Sequence, residues 1–170
     1  TGSGLGCPDW PLCHGNLLPP LEFHALIEYS HRLTASLVVL LVALTTAGAW
    51  WWYRDRPGVL AAASLAALSL VVEVVLGAIT VLLELPPAIV TVHLAVAQGI
   101  FAFLLVGLVL AWQPTTINGQ VGDASLAPMG GGPLFRRSLA TALAAYLLTM
   151  SGAYVVAEGA TGACDGWPLC

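Results

Sequence analysis

His31 and His93 each stand near the start of a long apolar stretch, and an ionisable side chain in such a stretch faces a bundle interior or a cavity and marks function. If both stretches are helices entering from one side, His31 lies about four residues inside the first and His93 about six beyond Pro87 at the head of the third. At 1.5 Å per residue the two imidazoles then sit at a similar depth, ~6–9 Å below one interface. Two histidines at matched depth on different helices can clamp a haem iron from both faces, so they are read as candidate iron ligands. Ala35 and Ala97, one turn deeper in each helix, are small enough to admit a flat macrocycle. The plainer reading is that each imidazole hydrogen-bonds a neighbouring carbonyl.

Glu28 precedes His31 by three residues and Arg32 by four, so all three share a helical face. Beside a buried macrocycle this carboxyl could donate or accept a proton, or stabilise positive charge developing on a substrate. It could equally form an interfacial ion pair with Arg32, and Arg32 could instead hold a haem propionate. Cys7 and Cys13 enclose five residues that include two prolines, and Cys164 and Cys170 have the same spacing. A small disulfide loop in each copy is sterically reasonable. A redox-active pair remains open, and so does a zinc site drawing on His14 and His24, although zinc prefers shorter gaps. Otherwise His14 and His24 are interfacial residues or a lid of an outer loop. Glu73, in the middle of the second apolar stretch, should be protonated and hydrogen-bonded there. Ser69, Gly77 and Thr80 extend a polar, small-residue seam from it, with Gln98 as a candidate partner and a proton path as a possible use.

Membrane helices are the elements that must position these groups. Of 170 residues 58% are hydrophobic and 8% charged, with a mean hydropathy of +0.88, whereas soluble domains carry about 25% charged residues. Nucleic-acid binding is excluded, since the five cations are all arginines and the net charge is -4. Spanning hydrocarbon takes roughly 20 apolar residues, and four stretches qualify, near 27–52, 58–83, 88–112 and 138–157. The fold class expected is an all-α polytopic membrane protein. Residues 1–26 form an outer loop with a Cys pair, 27–112 three transmembrane helices, 113–137 a flexible cytoplasmic linker, and 138–170 a fourth helix with the start of another outer loop. Arg54, Arg56, Arg136 and Arg137 place the loops after the first and third helices in the cytoplasm. All four cysteines then face an oxidising compartment.

Residues 4–13 read GLGCPDWPLC and residues 161–170 read TGACDGWPLC. The first copy precedes the first helix and the second follows the fourth, so the chain is expected to be a segment of a longer, duplicated protein. GLGCPDWPLCHG, the EYSHR of Glu28 to Arg32, the LGAITVLLELPPAIVTVHLA of residues 76–95 and the second WPLC resemble the bacterial haem A synthases. The resemblance implies eight helices in two four-helix halves, each half providing two histidines, in a bacterial plasma membrane. It also implies an enzyme that oxidises a ring methyl of haem O to the formyl of haem A, for use in terminal oxidases. In its terms His31 and His93 are the ligands of the amino-terminal half and Glu28 its essential acid, while Cys7 with Cys13 and Cys164 with Cys170 match outer-loop pairs. The missing second half would hold a haem b. The implied partners are the lipid bilayer, haem, haem O synthase, the terminal oxidase assembly, and the remaining helices or an oligomer. Glu73 stands where the family pattern has Gln, and the arginine expected ahead of the second cysteine loop is absent from Val155 to Ala160.

Three rival functions use subsets of these residues. A non-catalytic bis-His b-type cytochrome needs His31 and His93 but not Glu28, and a haem-binding assembly factor needs neither turnover nor electron flow. A membrane thiol–disulfide oxidoreductase needs only the cysteines, though redox pairs more often read Cys-x-x-Cys. The topology has a direct test. With the native cysteines removed, Ser125→Cys is expected to resist a membrane-impermeant thiol reagent in intact cells and to react after lysis; labelling in intact cells would reverse the orientation.

Overall fold

The computed structural model describes residues 5–113 and 132–160. It contains four helices: α1 (Phe23–Trp52), α2 (Pro57–Leu82), α3 (Pro87–Trp112) and α4 (Pro133–Ala157). All four are long and apolar enough to cross a membrane, and no strand occurs among the described residues. The protein is an all-α polytopic membrane protein. Cys164, Cys170 and most of the 113–137 linker lie outside the described residues.

Two helices start earlier than their apolar runs. Helix α1 begins at Phe23 rather than near 27, because the preceding loop packs on its first turn and supplies tertiary contacts that hydropathy does not register. Helix α4 begins at Pro133 rather than near 138. Proline suits the first helical position, having no N–H to leave unpaired, and the Arg136 N–H donates to Gly132 O at 3.1 Å. Arg136 and Arg137 therefore belong to a helix start rather than to a linker. Prolines open α2 and α3 as well, at Pro57 and Pro87. Between α2 and α3 the chain reverses through Glu84 and Leu85, both left-handed at φ 59° and 64°. The Leu85 N–H returns to Thr80 O at 2.8 Å, satisfying a carbonyl at the end of α2.

The described chain divides into two compact units. One comprises Leu37–Val72 and Val96–Ala145. There Val42 of α1, Ala66 and Leu70 of α2 and Ile100 of α3 form a buried cluster, and Ala49, Val59 and Ala63 form a second. Small residues suit this packing, since lipid is as apolar as the helices and association rests on close backbone approach. Cross-helix hydrogen bonds add to it: Thr46 Oγ1 donates to Ala63 O at 3.2 Å and Trp50 Nε1 to Ser64 Oγ at 3.1 Å. Arg56, just before α2, donates to the carbonyls of Leu110, Ala111 and Gln113 at the end of α3. Helix α4 has no buried residue.

In its described part the other unit comprises residues 5–36, Glu73–Ala95 and residues 146–160. Its loop is closed by a Cys7–Cys13 disulfide, S–S 2.02 Å, buried with Ala25 against the first turn of α1. Gly6 makes that approach possible, since a Cβ there would stand 2.4 Å from His24 C and O. Cys13 to Asn16 form a tight turn, with His14 and Gly15 both at positive φ and paired Cys13–Asn16 backbone hydrogen bonds of 2.9 and 3.1 Å. Asp9 accepts from the Gly15 and His14 N–H groups at 2.7 Å each. The Gly15 N–H in particular holds the Asp9 carboxyl below its ordinary value of 3.8, and burial opposes this. Because the folded value is the lower one, this tie is complete at neutral pH and is lost only as pH falls through the lowered value.

Arg32 fastens the loop to α1. Its guanidinium donates to the carbonyls of Asp9 at 2.8 Å, Leu12 at 2.6 Å and Cys7 at 3.0 Å, and to Glu28 Oε1. Replacing Arg32 by Met is expected to leave the buried Glu28 uncompensated, a loss of roughly 3–5 kcal/mol. The measurement is the rate at which a mild phosphine reduces Cys7–Cys13 in purified protein. It should rise at least tenfold, and an unchanged rate would show that the loop is held by other contacts.

Candidate functional site

Helix α1 carries Glu28, His31 and Arg32 within little more than one turn, and α3 carries His93. With α1 starting at Phe23, His31 lies about two turns inside it, and His93 lies just under two turns inside α3. Both histidines belong to the unit that holds the disulfide loop. His31 is exposed and His93 half-buried.

Glu28 is 7% exposed, and both of its oxygens are engaged. Oε1 pairs with Arg32, and Oε2 accepts the Cys7 N–H at 2.9 Å. Of the two alternatives open to Arg32, the geometry contains the ion pair, and the guanidinium's remaining hydrogen bonds go to the loop carbonyls. Cys7 and Cys13 are bonded to each other, so they offer no thiolates to zinc. Among the described residues no group of three or more His, Cys, Asp or Glu is arranged to hold a metal ion. His14 is a staple of the loop rather than a lid, its Nε2 lying 2.9 Å from Gly6 O. His24 belongs to the first turn of α1, with its ring edge-on to Phe23. The second pair, Cys164 and Cys170, lies outside the described residues.

The residue that reaches Glu73 is His93. Glu73 Oε1 is 3.2 Å from His93 Nδ1, yet neither Nδ1 nor Glu73 Oε2 completes a hydrogen bond, and both atoms are buried. The imidazole also rests on Gly77, where a Cβ would stand 3.3 Å from its Cε1 and 3.8 Å from Nε2. Thr80, further along the same helix, turns its hydroxyl back to Leu76 O at 2.8 Å. Sequence reasoning named Glu73 and Gly77 as a seam and did not place His93 against it. The i to i+4 spacing of the two was the available signal, and which helix faced them was not.

These features fit axial ligation of a haem. Two imidazoles from separate helices lie in one unit, the His93 ring packs closely on Gly77, and its Nδ1 lies 3.2 Å from a carboxyl oxygen of Glu73.

Comparison with known proteins supplies the family. Residues 21–170 match the family model COX15-CtaA, described as cytochrome oxidase assembly protein. Proteins named heme A synthase from Exiguobacterium sibiricum and Symbiobacterium thermophilum are each 34% identical to the chain over 174 aligned residues, covering all of it and 56% of their own length. A heme A synthase from another Exiguobacterium species is 34% identical over 172 residues, 54% of its length. The chain thus spans about half the length of these curated relatives. No solved structure matches. With a family match running from the foot of α1 to the last residue and relatives 34% identical over the whole chain, the chain belongs to the COX15-CtaA family of cytochrome oxidase assembly proteins.

Proposed function

We propose that this chain is the haem-binding part of a haem A synthase, a multi-pass oxidoreductase of the bacterial plasma membrane with its cysteine loops on the outer side. Its substrate is haem O, and its product is haem A, in which a formyl replaces a ring methyl. Haem O synthase would supply the substrate and terminal oxidase assembly would consume the product. The presence of His31 and His93, from separate helices, in one compact unit is the observation that carries this reading, and the names of the relatives support it.

In this proposal His31 and His93 hold the substrate's iron and fix the macrocycle relative to α1. Bound haem O supplies the iron and the methyl group to be oxidised. Glu28 lies one turn from His31, and its negative charge is held in place by Arg32 and the Cys7 N–H. Since both oxygens already accept hydrogen bonds, its proposed part is electrostatic: it stabilises positive charge that develops at the reacting edge, in a site where a fixed charge acts more strongly than in water. Arg32 positions Glu28 and the loop. The Cys7–Cys13 disulfide keeps the loop compact enough for Cys7 to reach Glu28.

The saturated Glu28–Arg32 pair would suit a non-catalytic bis-His b-type cytochrome equally well, and the product separates the two readings. In the full-length protein supplied with haem O, Glu28→Gln is expected to retain haem while formyl haem falls at least tenfold and a hydroxylated haem accumulates, read by mass after solvent extraction. That pattern belongs to a group needed more in the transition state than in binding. His31→Ala or His93→Ala should lower haem occupancy or change its spin state. Normal haem A from Glu28→Gln would leave Glu28 a structural ion pair only, and unmodified haem from the wild type would make the protein a cytochrome.

A further inference from the structure

We propose that Glu73 is a positioning residue for His93: its carboxyl group accepts the Nδ1–H of the imidazole through Oε1 and so reserves Nε2 for the iron. The inference rests on the reading of His93 as a haem ligand, and it assigns α2 a part in a site otherwise drawn from α1 and α3.

The geometry comes from both ends of the contact. Glu73 Oε1 approaches His93 Nδ1 to 3.2 Å, and that buried nitrogen completes no hydrogen bond among the described residues. Glu73 Oε2 is likewise buried without a partner. A buried ring nitrogen without a partner costs about 1–3 kcal/mol, and a slight turn of the ring that aligns its N–H on Oε1 removes that cost. Gly77, one turn along α2, leaves room for the ring on the same face: its Cβ position is already within 3.3 Å of His93 Cε1. Glu73 and Gly77 therefore act as a socket, one holding the nitrogen and the other admitting the ring. A neutral imidazole carries its proton on one nitrogen only, and the hydrogen bond made by one nitrogen decides which is left to ligate. Histidines that bind metals commonly donate their second N–H to a carboxylate, which fixes the ring and strengthens it as a ligand.

The test uses the full-length protein with Glu73→Gln and Glu73→Leu, and His93→Ala as a control. Without haem, 15N NMR of the imidazoles is expected to show His93 as the Nδ1–H tautomer in the wild type and a shift toward Nε2–H in Glu73→Leu. With haem, Glu73→Leu is expected to raise the midpoint potential and to weaken haem binding by roughly 10–100-fold, with Glu73→Gln, which keeps an acceptor oxygen, falling between it and the wild type. Gly77→Ala should move the low-spin EPR signature while leaving Glu73 intact. If Glu73→Leu changes neither tautomer nor potential while His93→Ala abolishes the low-spin signal, the positioning role is wrong and the ligand assignment stands. If His93→Ala keeps that signal, the ligand assignment itself fails, whatever Glu73 does. A Glu73→Leu protein that does not fold is replaced by Glu73→Ala, which also lacks an acceptor and whose unchanged potential and tautomer populations would likewise overturn the proposal.

Discussion

The guanidinium of Arg32 is the contact on which the outer part of the structure depends. A cation two turns inside an apolar helix has few tolerable neighbours, and this one makes a hydrogen bond to Glu28 and three to the carbonyls of Cys7, Asp9 and Leu12. Three of these four bonds solve a second problem. A loop with two prolines and a disulfide cannot pair its own carbonyls in regular structure, and unpaired carbonyls beside a bilayer are expensive. One side chain thus neutralises a buried acid and supplies the donors that a short, irregular loop lacks.

From that contact the site is built outward. The loop sits on α1 because Gly6 lets its backbone touch the first turn, and Cys7 then presents its N–H to Glu28. His31, on the following residue face of the same helix, inherits its place from α1. His93 inherits its place from the left-handed turn at Glu84 and Leu85, which reverses the chain and starts α3. Within this unit, α2 meets the imidazole with a carboxylate and a glycine.

Much of this was legible in the residues alone. The four helices follow from hydropathy, because the solvent demands long apolar runs and permits little else. Glu28, His31 and Arg32 could be assigned to one face from helical spacing. The remainder was not local. Helix α1 gains its first turn from a disulfide loop packed over Ala25, and α4 gains its own from a proline whose placement overrides two following arginines. Gln98 was the partner expected for Glu73, whereas the structure brings His93 to it, since periodicity gives the face of a helix but not the neighbour across it. The function of His14 was hidden because its ring reaches back along the chain to Gly6 O, within a turn that its own positive φ helps to form.

Arg56 has a consequence for how this sequence tolerates change. By donating to the carbonyls of Leu110, Ala111 and Gln113, it closes the end of α3 from a position before α2, so those acceptors need nothing from the chain that follows them. Two of the four carbonyls that α3 leaves unpaired at its end are satisfied in this way by a side chain from elsewhere. The end of α3 thus depends on a residue more than fifty positions earlier in the chain, and a change at Arg56 reaches those carbonyls without altering α3 itself.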